Sequence, residues 1–105
     1  MDLQLKGKTA FITGGSMGIG KAAAFELASE GVNVAIAARR LPLLEEAATE
    51  LRSRLGPDAG RILPVAVDTT DMDSVTQGMA AAAEVFGRID ILVNGAAHPG
   101  GLVRA

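Results

Sequence analysis

A chain of 105 residues has room for one domain and not two. Its apolar content of 49% suits a packed core, and its net charge of −2 gives no electrostatic drive toward nucleic acid. Without cysteine it can form no disulfide, thiol nucleophile or cysteine zinc site; one histidine excludes His-His metal sites, and no tyrosine means no phenolic proton donor.

The amino-terminal stretch from Met1 to Lys8 has an early acid and no long apolar block, unlike a signal peptide. No later run approaches the roughly 18 apolar residues of a membrane span, so a cytoplasmic protein that avoids membranes is expected. Thr9 to Thr13 is a short apolar run that opens into a glycine-rich loop and reads as a buried strand. From Gly18 to Glu30, Ile19, Ala23 and Leu27 recur every four residues, and Gly31 stops that helix. Asn33 to Ala38 is a second strand. Pro42 suits the first turn of a second helix with the stripe Leu44, Ala48, Leu51 and Leu55, closed by Gly56-Pro57.

Ile62 to Val67 reads as the third strand, interrupted by Pro64. Thr70 and Asp73 are spaced as a capping box for a third helix, with Val75, Met79, Ala82 and Phe86 on one face and Gly87 at its end. Ile89 to Asn94 is the fourth strand, and the last eleven residues, from Gly95 on, contain no complete element. The order βαβαβαβ predicts a parallel sheet with right-handed crossovers. Strands without in-out alternation imply helices on both faces, so the fold class is α/β, doubly wound.

The loop Thr13-Gly14-Gly15-Ser16-Met17-Gly18-Ile19-Gly20 lies between a strand and a helix, the context in which a glycine triplet points to nucleotide binding. Gly14 can take turn dihedrals closed to other residues, Gly18 lets the backbone approach a pyrophosphate, and Gly20 lets the helix sit close to the sheet. Unpaired amides and the dipole at the helix start then face the phosphates. The competing explanation is a tight strand-to-helix turn without a ligand.

Thr13-Gly14-x-x-x-Gly18-x-Gly20 resembles the cofactor fingerprint of the short-chain dehydrogenase/reductase family. Asp68 after strand three and Asn94-Gly95-Ala96-Ala97 after strand four stand where that family has an adenine-contacting aspartate and an Asn-Asn-Ala-Gly segment. Gly95 replaces the second asparagine and Ala97 the motif glycine. The resemblance implies an incomplete Rossmann-like sheet of four strands in the order 3-2-1-4. Residues 1–105 are then a single NAD(P)-binding domain cut short before the catalytic half. It further implies that Gly14, Ser16, Met17, Gly18, Ile19 and Gly20 line the phosphates and adjacent ribose. Asp68 would meet the adenine, and Asn94 and Ala96 the region near the nicotinamide ribose.

Dinucleotide folds that bind NAD end strand two on an acid that holds the ribose 2′-hydroxyl. Here that place falls near Ala38, followed by Arg39-Arg40. A guanidinium binds a 2′-phosphate through a charge-assisted fork, so NADP is expected over NAD, with Arg39 the main contact and Arg40 or Ser16 secondary. The alternative is that both arginines are solvated residues preceding a helix. Some family members also place a base in the glycine loop, where this chain has Met17.

Other residues are explained without chemistry. Asp68, Asp71 and Asp73 lack the glycine and terminal glutamate of a calcium loop; Asp71 and Asp73 read as helix-start residues near a positive dipole, while Asp68 keeps the role the resemblance implies. Glu45, Glu46, Glu50, Arg52 and Arg54 read as a solvated helix face, and His98 as a loop residue. The family resemblance implies hydride transfer at an alcohol or carbonyl carbon, with a serine and a Tyr-x-x-x-Lys pair lying beyond this sequence. The 105 residues alone are therefore expected to bind cofactor but not to turn over, and to meet a small-molecule substrate only when the other half is supplied. Ile91 to Val93 is expected to be left as an apolar edge, which favours self-association or a homo-oligomer. Two rivals stay open: a short non-catalytic dinucleotide-binding protein or sensor, and a fragment of an S-adenosylmethionine-dependent methyltransferase. Ala38-Arg39 disfavours the latter, because that class wants an acid there.

Overall fold

The computed structural model describes residues 4–16, 18–95 and 102–104. Its elements in chain order are β1 (Thr9–Thr13), α1 (Gly18–Ser29), β2 (Asn33–Ala38), α2 (Leu41–Arg54), β3 (Ile62–Ala66), α3 (Met72–Phe86), β4 (Ile91–Asn94) and β5 (Leu102–Arg104). β1 to β4 form a parallel sheet in the order 3-2-1-4, and β5 pairs antiparallel outside β4. The doubly wound α/β class read from the sequence and the strand order implied by the family resemblance are both present.

The two faces of the sheet follow from the two-residue period of a strand. Ala10 and Ile12 of β1, Val34 and Ile36 of β2 and Ile62 of β3 pack with Ala24, Ala28, Leu44, Ala47, Ala48 and Leu51 of α1 and α2. The residues between them, Phe11, Ala35 and Ala37, pack on the opposite side with Val67 and Ala82, flanked by Val75, Met79 and Phe86 of α3. Apolar side chains on both faces explain the unbroken hydrophobic runs of the central strands.

Pro64 is accommodated because β3 is the outermost parallel strand. Arg61 accepts from Val34 and Val67 donates to Ala38, so odd-numbered peptide groups face β2 and the nitrogen of Pro64 faces away. The sequence pattern misplaces three details. The buried seam of α1 is Gly20, Ala24 and Ala28, while Ile19 is 80% exposed. Small residues win this face because they let the helix axis approach the sheet. The cap of α3 is Asp71, whose carboxylate accepts from the Asp73 amide; Thr70 turns its hydroxyl to Asp68 instead. The carboxyl-terminal segment does contain an element: Leu102–Arg104 pairs with Ile91 to Val93, so β4 is not the sheet edge.

Nor is the charged face of α2 merely solvated. Glu50 pairs with Lys21 of α1, Arg52 donates to the Ile62 carbonyl at 2.6 Å, and Arg54 lies 4.4 Å over the Phe25 ring. These contacts tie α2 to α1 on one side and to β3 on the other. Among the described residues no helix is long and apolar enough to cross a membrane.

At the amino end of β1 the Thr9 amide donates to Asp90 Oδ2 at 2.9 Å, and the Asp90 amide donates back to the Thr9 carbonyl at 2.8 Å. The Thr9 amide holds the Asp90 carboxyl below its usual range, with Arg88 adding to the effect. The Thr9 hydroxyl, by contrast, is fully buried and has no hydrogen-bond partner among the described residues. Replacing it with a methyl group removes a desolvated polar atom and leaves the shape of the side chain. Thr9→Val is expected to stabilise the fold by about 1 kcal/mol, seen in thermal unfolding as a rise of about 4–8 °C for a domain of this size.

Candidate functional site

The winding of the chain selects one end of the sheet. From β1 the chain moves outward through β2 to β3, then α3 carries it back past β1 to β4. The direction reverses at β1, so a crevice opens at the carboxyl ends of β1 and β4, where α/β sheets bind ligands. The glycine loop lies at this end. So do Arg39 after β2, Asp68 after β3 and Asn94 at the end of β4.

Each glycine in the loop meets a different demand. Gly14 has a φ of +73° and donates its amide to the Ala37 carbonyl at 2.7 Å, which fastens the loop to the end of β2. Gly18 opens α1 with a φ of +62°, and a Cβ there would meet nothing within 4 Å. Its side faces open space, which a ligand could approach. Gly20 is excluded from bearing a side chain by contact: a Cβ would fall on the Gly14 carbonyl and come within 3.2 Å of Gly15 Cα. Gly15, to which the sequence pattern gives no role, lies where a Cβ would come 2.6 Å from Ile36 Cβ. Its signal was the doubled glycine, which reads as redundancy until β2 is placed beneath it.

The end of β4 closes on the same point. The Gly95 amide donates to the Thr13 carbonyl at 2.9 Å, and a Cβ on Gly95 would come within 2.8 Å of Gly20 Cα. Thr13 Oγ1 donates to Asn94 Oδ1 at 3.1 Å, so β1 and β4 are joined by side chains as well as by their ladder. The asparagine that replaces nothing (Asn94) and the glycine that replaces an asparagine (Gly95) therefore occupy one junction. Ile19 and Gly18 stand exposed at its rim. Ser16 is half-buried and shares a cleft of about 120 Å³ with Lys21, Leu43 and Glu46. Met17, Ala96 and His98 lie outside the described residues.

The first turn of α1 contains no acidic residue. Its unpaired amides and positive dipole end are not neutralised by the helix's own side chains, which suits an anionic ligand. On the β2–β3 side, Arg39 and Asp68 form an ion pair: Arg39 Nη2 donates to Asp68 Oδ1 at 3.1 Å. The same oxygen accepts from the Thr70 amide at 3.0 Å and the Thr70 hydroxyl at 2.6 Å. The Asp68 amide donates to Ser74 Oγ at 2.8 Å. Arg40 occupies the N-cap position of α2, exposed and without a capping bond from its side chain.

These donors hold the Asp68 carboxyl down to about 2 from its ordinary value of 3.8, the Thr70 hydroxyl first, then the Thr70 amide and Arg39. A depressed pKa in the folded state contributes stability above the ordinary value and loses it as pH falls through the folded one. The difference in thermal stability between the protein and its Asp68→Asn variant is thus expected to be constant from pH 7 to pH 5. It should shrink only as pH falls from 3.8 toward about 2.

A doubly wound parallel sheet, with a glycine loop running from its first strand into a helix at the switch point, places the molecule among the Rossmann-type α/β proteins. The chain belongs to the short-chain dehydrogenase family, whose model matches residues 8–104. That family consists of NAD(P)-binding oxidoreductases. A short chain dehydrogenase of Pseudocercospora fijiensis is 41% identical over 102 residues, covering 95% of this chain and 32% of the relative. Hydroxysteroid dehydrogenase-like protein 2 of Bos taurus is 42% identical over 100 residues, covering 89% of this chain and 23% of its own length. Among solved structures, L-sorbose reductase of Gluconobacter frateurii, complexed with NADPH and L-sorbose, superposes with a TM-score of 0.83. It is 40% identical and covers 95% of this chain and 37% of that one. The chain thus spans between 23% and 37% of the length of these relatives.

Gly20→Ala tests the junction directly. Because the added methyl group would meet the backbone of Gly14 and Gly15, relaxation must move α1 or the loop. The expected cost is about 1–3 kcal/mol, measured by denaturant unfolding. Gly18→Ala, where the added group meets open space, is expected to lose only the smaller amount that its positive φ imposes.

Proposed function

We propose that this chain is the NADP(H)-binding portion of an oxidoreductase that transfers hydride between a nicotinamide and an alcohol or carbonyl carbon. The observation that carries the cofactor reading is the pairing of two features at one end of the sheet. One is the open, positive helix start at Gly18. The other is Arg39, 71% exposed at the end of β2, where an NAD-binding fold needs an acid. The NADPH complex of the similar sorbose reductase supports the same choice.

On this reading Gly14, Ser16, Met17, Gly18, Ile19 and Gly20 hold the phosphates and adjacent ribose, through main-chain amides for the most part. Arg39, seconded by Arg40, takes the 2′-phosphate; Asp68 meets the adenine, and Asn94 and Ala96 border the nicotinamide ribose. When bound, the cofactor supplies or accepts the hydride. This chain's own residues bind it, fix its orientation against β1 and β4, and set the choice between NADP and NAD. None of them supplies the proton that carbonyl reduction needs, since the 105 residues include no tyrosine. The domain is read as the cofactor-binding part of a longer enzyme; self-association, expected from a bare β4 edge, loses that ground because β5 covers β4.

Titration with NADPH and NADH distinguishes these ideas. The protein is expected to bind NADPH at least tenfold more tightly, and Arg39→Ala to remove most of that preference by deleting a charge-assisted fork. Equal preference before and after the substitution would overturn the assignment of Arg39. Turnover of a carbonyl substrate by these 105 residues alone would overturn the reading that the proton donor lies elsewhere.

A further inference from the structure

The ion pair between Arg39 and Asp68 joins two residues that the functional reading treats separately. One carboxylate oxygen, Oδ1, receives three donors: Arg39 Nη2, the Thr70 amide and the Thr70 hydroxyl. The residue's own amide is tied to Ser74 on α3. Asp68 is therefore a fixed point at the end of β3, held by the start of the following helix. Arg39 is the opposite case, a long side chain 71% exposed. Without the carboxylate its guanidinium would sample many rotamers over solvent.

We propose that Asp68 is a positioning residue for Arg39, holding the guanidinium across the β2–β3 ends so that a two-donor edge stays available to the 2′-phosphate of NADP(H). The inference rests on the NADP reading above and assigns Asp68 a part in cofactor choice that adenine contact does not include. The geometry of the contact permits it. Asp68 uses a single N–H of Nη2. If that hydrogen belongs to the edge shared with Nε, the edge shared with Nη1 remains free, and the reverse holds too.

Two effects oppose each other at this site. The carboxylate lowers the positive potential that attracts a phosphate, and it also removes the entropy that a free arginine loses on binding. Both partners are well exposed, at 71% for Arg39 and 41% for Asp68, so water and salt screen the charge effect. Screening weakens the ion pair as well, but the directional hydrogen bond from Arg39 Nη2 to a carboxylate fixed by Thr70 still restricts the side chain. Pre-ordering a side chain of this kind is worth about three- to tenfold in affinity. Order therefore outweighs repulsion, and Asp68 favours the phosphorylated cofactor in spite of its sign.

The test uses adenosine 2′,5′-bisphosphate and adenosine 5′-monophosphate as probes, titrated calorimetrically into the full chain. Their affinity ratio reads the 2′-phosphate alone, because adenine and 5′-phosphate are common to both. Asp68→Asn is expected to lower the ratio about three- to tenfold, and to leave it unchanged when Arg39 is already alanine. Loss of an adenine contact or a merely structural defect would weaken both probes together and leave the ratio alone. A ratio that is unchanged or raised in Asp68→Asn, or lowered equally with and without Arg39, overturns the proposal. Should that variant not fold, Thr70→Val removes the hydroxyl anchor while keeping the charge, and the same criteria apply. If the unmodified protein shows no preference for the bisphosphate, the NADP reading falls along with this one. If it shows the preference but Asp68→Asn does not change it, only the positioning role falls.

Discussion

The contact of Gly20 with the Gly14 carbonyl, and of Gly95 with Gly20, sets the distance between α1 and the ends of β1 and β4. Three stretches of backbone meet there with no side chain between them, so the junction has no soft component. A methyl group at either position would displace the helix start, the glycine loop or the turn after β4. The rest of the site inherits its geometry from this packing. The helix start points into the crevice because Gly20 lets it lie flat on the sheet. The Gly95 amide on the Thr13 carbonyl and Thr13 on Asn94 hold the end of β4 against β1 beside that crevice.

Around that rigid centre the charges are arranged by strand end. The chain as a whole is slightly acidic, yet the end of β2 carries two adjacent arginines. The acid that faces Arg39, Asp68, is bound to it and to Thr70. Local placement, not net charge, decides which anion such a surface attracts. On the proposed reading the amide groups at the start of α1 would serve any phosphate, and the guanidinium after β2 would discriminate. On the proposed reading, affinity comes from backbone and selectivity from side chains. That is why the glycines and the arginine can be considered as separable contributions.

The sequence made the architecture legible because every parallel strand is a continuous apolar run and every helix is punctuated by glycine or proline. The strand order came with the family resemblance, and Gly14, Gly18 and Gly20 follow from their spacing. What stayed hidden depends on contacts between segments far apart in the chain. Periodicity chose Ile19, Ala23 and Leu27 for the buried face of α1, since hydrophobicity alone cannot show that a helix will seek the closest approach, which small residues permit. Gly15 and Gly95 are demanded by Ile36 and Gly20, partners that spacing along the chain does not reveal. The Thr70–Asp73 spacing fitted a capping box, but the Thr70 hydroxyl makes a shorter bond to Asp68 and leaves the cap to Asp71. Pairing of Leu102–Arg104 with β4 was equally invisible, as a three-residue strand has no periodicity to read.

The sheet order also divides the labour of the site. β2 and β3, with Arg39 and Asp68 at their ends, lie on one side of β1; β4, with Asn94, lies on the other. A dinucleotide laid across the switch point must therefore place its two nucleosides on opposite sides of the first strand. On the proposed reading the adenosine end meets the charged pair, and the nicotinamide end meets Asn94 and whatever follows β4. Groups that select the cofactor and groups that act on a substrate are then kept apart by the width of a strand pair on either side of β1. On that same proposal a change at Arg39 or Asp68 alters which cofactor is held without moving its nicotinamide end, because the glycine junction lies between them.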